Sequence, residues 1–118
     1  MPTEAEWEYA ARGGSASSRY GALDQIAWYD GNSGKQTHPV GQKAANALGL
    51  SDMLGNVWEW TSDYWKGSYE GGAAIDQASR VVRGGSWNNS SWHARVSVRL
   101  NYGTSVNFLY VGVRCAWD

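Results

Sequence analysis

Residues 46–65 read NALGLSDMLGNVWEWTSDYW. From Asn56 to Thr61 the stretch alternates large aromatic residues with others, placing Trp58 and Trp60 on one face. Period-two alternation of this kind predicts a half-buried strand. Asp52 and Glu59 flank a tight glycine turn, whose backbone carbonyls lie between them. Hard oxygen donors around a turn can hold Ca²⁺. The plainer reading, which spacing alone favours, has Asp52 capping the turn and Glu59 meeting an arginine.

Working outward, Thr3 is a good N-cap, and Glu6 three residues later completes a capping box. Gly13-Gly14 ends that helix. Ala5, Tyr9 and Ala10 can share its buried face, with Trp7 beside it. Tyr20 to Leu48 has no long periodic segment, and Asp30-Gly31-Asn32-Ser33-Gly34 is turn chemistry. It reads as loops, with one short helix near Leu23 to Tyr29. Ser68 to Ser79 holds Gly71-Gly72 and reads as a surface loop. Arg80 to Arg83 begins a second strand, broken by Gly84-Gly85. Ala94 to Leu100 alternates again, and Tyr110 to Trp117 is long enough for a closing strand. Val96, Val98 and Leu100 would share a face in a regular strand; a bulge or strand end near Ser97 would separate them. The expected architecture is α+β: one or two helices, long loops and a small, mostly antiparallel sheet in a single domain over 1–118.

Composition narrows the function. The chain has 118 residues and a net charge of −1, without the basic face that nucleic acid or an anionic membrane needs. No apolar run approaches membrane-spanning length, so no membrane insertion is expected. The N-terminus lacks a secretory signal pattern, and virion, cell surface and cytoplasm all stay open. His38 and His93 have no nucleophile at a recognisable spacing. Cys115, the one cysteine, sits in an apolar run and reads as a buried inert thiol.

The segment Asn88 to Tyr110 is different in kind. Twelve of its 23 residues are Tyr, Ser, Gly, Asn or Trp, and from Gly84 to Trp117 there is no Asp, Glu or Lys. Rigid aromatics with small polar residues are paratope composition. Three successive large residues, Phe108, Leu109 and Tyr110, are poor filler for a plain loop.

Four motifs carry a resemblance: PTEAEWEYAARGG at 2–14, the 46–65 stretch, RVVRGGSW at 80–87 and VGVRCA at 111–116. In order and spacing they resemble the formylglycine-generating-enzyme-type domain over nearly the whole chain. The resemblance implies a C-type-lectin-type fold, and a chain matching only the C-terminal part of the larger enzymes. Those enzymes bind copper with two cysteines; the matching positions here are Asn89 and Ala94. A Cu(I) site needs soft thiolates, so the resemblance implies the scaffold without the oxidase chemistry, and no required cofactor. Cys115 matches a structural cysteine instead. The family's calcium loop matches at Asp52, Gly55, Val57 and Glu59, which implies structural Ca²⁺ as a possible ligand.

A narrower resemblance is to the variable proteins of diversity-generating retroelements, in which error-prone copying at template adenines rewrites the 3′ end of a target gene. An Asn codon altered at its two adenines cannot encode Trp, Lys, Gln, Glu or Met. None of these occupies the candidate variable positions: Asn88, Asn89, Ser90, Ser91, His93, Val98, Leu100, Asn101, Tyr102, Gly103, Thr104, Ser105, Val106, Asn107, Phe108, Leu109 and Tyr110. Chance absence is on the order of a few per cent. Trp92 breaks the rule and counts as framework, with Trp58, Trp60, Trp87, Val96 and Cys115. Arg83, Arg95, Arg99 and Arg114 are suited to pin loops through charge-assisted bonds.

The resulting expectation is a non-enzymatic binder of a protein or other macromolecule. Tyr102, Phe108, Leu109 and Tyr110 would be its apolar anchors, with His93, Asn101 and Asn107 as polar contacts. The competing readings are a degenerate or fragmentary oxidase domain and a calcium-dependent sugar-binding module. The sequence assigns no oligomeric state.

Overall fold

The computed structural model describes residues 1–66, 76–104 and 109–116. The first helix, α1 (Glu4–Arg12), forms as its caps predict. The Thr3 hydroxyl accepts from the Glu6 N–H at 3.2 Å and donates to the Glu6 carboxylate at 2.8 Å. Gly13, with φ 56°, closes the other end by donating its N–H to the Tyr9 carbonyl. The buried stripe is Glu4, Trp7 and Ala11 rather than the expected Ala5, Tyr9 and Ala10. Ala5 and Tyr9 are exposed, because Trp7 and Ala11 meet the core while two arginines draw Glu4 inward. A single short helix, α2 (Leu23–Ile26), follows where one is expected.

Four strands form one sheet: β1 (Trp58–Trp65), β2 (Asp76–Arg83), β3 (Arg99–Gly103) and β4 (Val111–Gly112), in the order β3-β2-β1-β4. β2 is antiparallel to both neighbours, and β4 closes the sheet parallel to β1. Trp58 and Trp60 share a face, as the alternation predicts, and pack in one cluster with Val82. Residues 76–79 are strand rather than loop; residues 67–75 of that expected loop lie outside the described residues.

Two strand readings need correction. The segment from Ala94 is not strand until Arg99, because the Val98 N–H folds back to the Arg95 carbonyl at 3.2 Å. That turn sends Val96 into the core against α1 and Val98 into the core beside Trp58, which separates the valines near Ser97. The closing run contributes only Val111 and Gly112 as strand, and Trp117 lies outside the described residues. Cys115 falls beyond the strand and is exposed, not buried.

The core comprises two apolar clusters. One joins Trp7, Ile26, Met53, Leu54 and Val96; the other joins Trp58, Val82 and Val98. Backbones cross closely beside the first. A Cβ on Gly55 would stand 2.4 Å from the Trp28 carbonyl oxygen, and one on Gly84 would stand 2.7 Å from that of Met53. Both glycines also have positive φ, 78° and 101°, so neither site accepts another residue without strain.

Arg83 links these layers. Its side chain is wholly buried at the end of β2. It donates to Glu4 at 3.0 Å, to Glu8 at 2.7 Å and to the Val96 carbonyl, and lies 5.4 Å from the centroid of the Trp7 ring. Arg99 adds two more bonds to Glu4. Removing one partner of such a buried pair leaves the other charge stranded. Arg83→Met is expected to lose about 3–5 kcal/mol of stability, against about 1 kcal/mol for Thr3→Ala, which removes only the cap. Urea denaturation of the two variants checks this ordering.

Candidate binding surface

The segment after the glycine break is shaped by side chains that bond to its backbone. The Ser33 hydroxyl donates to the Trp87 carbonyl at 2.8 Å, and the Asp30 N–H donates to that of Asn89 at 2.9 Å. Arg19 donates to the Ser91 carbonyl at 2.7 Å and to the Ala94 carbonyl at 2.9 Å, which fixes the single 3₁₀ turn Ser91–His93. Arg95 donates to the Trp92 carbonyl at 2.7 Å, and Arg83 holds the carbonyls of Val96 and Val98. Carbonyl oxygens are the same whatever side chain the residue carries, so these bonds survive substitution.

On that backbone, the candidate aromatics converge on the tryptophans. The His93 ring lies edge-on to Trp58 with centroids 6.0 Å apart, Tyr102 edge-on to Trp60 at 6.5 Å, and Tyr110 tilted against Trp87 at 5.7 Å. Leu100, Tyr102 and Tyr110 are half-buried and pack on the Trp58–Val82–Val98 cluster. Burial, and after it the neighbouring Tyr110, raise the Tyr102 phenol above its ordinary pKa. A cleft of about 380 Å³ lies beside Trp87, lined also by Asp30, Ser33, Lys35 and Asn88.

The candidates do not all behave alike. Asn88, Ser90, Ser91, Asn101, Thr104 and Leu109 are exposed, and Gly103 is half-buried. Asn101 alternates with Leu100 and Tyr102 along β3, so it faces the other side of the strand. Val98 is buried rather than solvent-facing, because the turn before β3 drives it into the core. Asn89 is half-buried, and its side-chain oxygen accepts from the Ser86 N–H at 3.0 Å and the Ser86 hydroxyl at 2.8 Å. Ser105, Val106, Asn107 and Phe108 lie outside the described residues.

Four contributors escaped the sequence reading. Arg19 gives no local signal of its role, since its partners are 72 and 75 residues away. Asp30 and Lys35, read only as turn and loop, line the cleft. Trp92, taken as framework, is 58% exposed; a tryptophan among serines and asparagines was the available clue.

The candidate calcium ligands differ in what they can offer a cation. Asp52 Oδ2 accepts from the Gly41 N–H at 2.7 Å, and its buried Oδ1 has no hydrogen-bond partner. That oxygen suits a cation. Glu59 does not: both its oxygens accept from Arg114, at 2.9–3.2 Å, and Oε2 also accepts from the Trp7 indole at 2.8 Å. Burial raises the Glu59 carboxyl above its ordinary pKa, while Arg114 and Trp7 pull it back. In this arrangement the loop offers Ca²⁺ one free carboxylate oxygen, and among the described residues no three His, Cys, Asp or Glu gather as a metal site.

The sulfatase-modifying factor enzyme 1-like domain family matches residues 1–118. The formylglycine-generating enzyme of Streptomyces coelicolor is 35% identical over all of this chain and 46% of its own length. An inactive C-alpha-formylglycine-generating enzyme 2 of Bos taurus is 33% identical over 98% of this chain and 43% of its length. The chain thus spans less than half of these curated relatives. Among solved structures, Treponema denticola variable protein 1 superposes with a TM-score of 0.88 at 38% identity, covering 96% of this chain and 45% of that one.

Asn89 is a structural amide by its contacts, whereas Asn101 makes no hydrogen bond with its side chain among the described residues. Asn89→Ala is expected to cost about 1–3 kcal/mol and Asn101→Ala less than about 0.5 kcal/mol, as read from thermal and urea unfolding.

Proposed function

Because the chain belongs to the sulfatase-modifying factor enzyme 1-like family, with the formylglycine-generating type of C-type-lectin fold, we propose that it uses this scaffold for binding rather than catalysis. In this reading it is a ligand-binding protein whose C-terminal surface is diversified by a retroelement, and its ligand is a protein.

One observation carries the reading. His93, Tyr102 and Tyr110 are presented on framework tryptophans, while the backbone around His93 is tied down by Arg19, Arg83 and Arg95 through carbonyl oxygens. Side chains can change on such a surface while its backbone is kept, which is what a diversified receptor requires. The similarity to a protein named as variable supports the same reading. Against an oxidase, the positions that match the copper-binding cysteines hold Asn89 and Ala94, and neither side chain supplies a thiolate.

Sequencing this gene and its downstream flank in many clones of one population tests the proposal. A nearby near-copy of the 3′ end is expected, with substitutions at template adenines and confined to the seventeen candidate codons. An invariant 3′ end with no near-copy would leave the scaffold standing and remove diversification.

A further inference from the structure

Trp92 stands inside the candidate variable segment, yet its codon lies outside what adenine-directed change of an Asn codon can write. It is also the largest exposed apolar side chain there among the described residues. The Arg95 guanidinium lies over its ring, 4.5 Å from the centroid, with Nε held by the Trp92 carbonyl. This arrangement fixes the orientation of the guanidinium. Its two Nη groups have no hydrogen-bond partner among the described residues.

The charge balance around it is one-sided. Arg83 and Arg99 pair with Glu4, and Arg114 pairs with Glu59. Arg95 pairs with no carboxylate among the described residues, and residues 84–117 contain none. A pre-oriented guanidinium with both Nη groups free matches the two oxygens of a carboxylate. Trp and Arg are also the residue types that most often dominate protein interfaces.

We propose that Trp92 and Arg95 form a fixed subsite for an Asp or Glu side chain of a protein ligand. The inference rests on the binding reading above and sharpens it. The subsite supplies a constant anchor, and the neighbouring variable positions, His93 first among them at 5.0 Å from the Trp92 ring, set which partner fits around it.

The test pans a phage-displayed library of random 12-residue peptides against the whole protein. Selected peptides are expected to be enriched in Asp and Glu over the unselected library. Arg95→Gln should weaken a synthesised peptide about ten-fold or more, and so should changing the peptide's critical Glu to Gln, which leaves the protein untouched. The two changes combined should cost little more than either alone. Trp92→Ala should weaken the same peptide. Binders that lose affinity with Tyr102→Ala or Tyr110→Ala but show no acid enrichment, or no coupling to Arg95, overturn the subsite alone. Failure to recover any peptide sensitive to this face overturns the subsite and counts against the binding reading with it.

Discussion

The buried Arg83 guanidinium is the interaction on which the remaining structure depends. A charge so enclosed is tolerable only with partners on every side. Here they come from α1 through Glu4 and Glu8, and from the chain entering β3 through the carbonyls of Val96 and Val98. One side chain therefore sets the distance between helix, sheet and the middle of the candidate variable segment. Val96 and Val98, whose carbonyls it holds, enter different apolar clusters.

The same device recurs along the segment. Arg19 and Arg95 also bond to backbone carbonyls, and their donors reach the 3₁₀ turn from outside and inside the segment. In the proposed binding role, stability and ligand contact fall to different atoms. The framework holds main-chain oxygens, and the side chains of Asn88, Ser90, Ser91 and Leu109 stand exposed. The separation is incomplete at Asn89 and Val98, whose side chains take part in folding. Changes there select against large departures in size or polarity.

Local chemistry was legible in the sequence. The Thr3–Glu6 box, the Trp58/Trp60 alternation and the Gly84-Gly85 break each act within a few residues, and each forms where its pattern lies. The four arginines singled out for pinning loops each donate to a backbone carbonyl, because a guanidinium carries five donors and its carboxylate partners leave some of them over. What was not legible depends on distant partners. The turn at Arg95–Val98 is held by Arg83, so strand periodicity could not reveal it. Glu59 is claimed by Arg114, 55 residues on, which no spacing within the calcium loop announces. Cys115 is exposed because β4 stops at Gly112 after a short parallel pairing.

The most direct measurement is a displayed library of the whole chain randomised together at Asn88, Ser90, Ser91, His93, Leu109 and Tyr110, scored for protease resistance. If backbone-directed bonds carry the surface, most members keep the parent's resistance, and Arg19→Ala lowers it across the library. Widespread loss of resistance in the library with Arg19 intact would contradict the account, because the variable side chains would then be holding the fold.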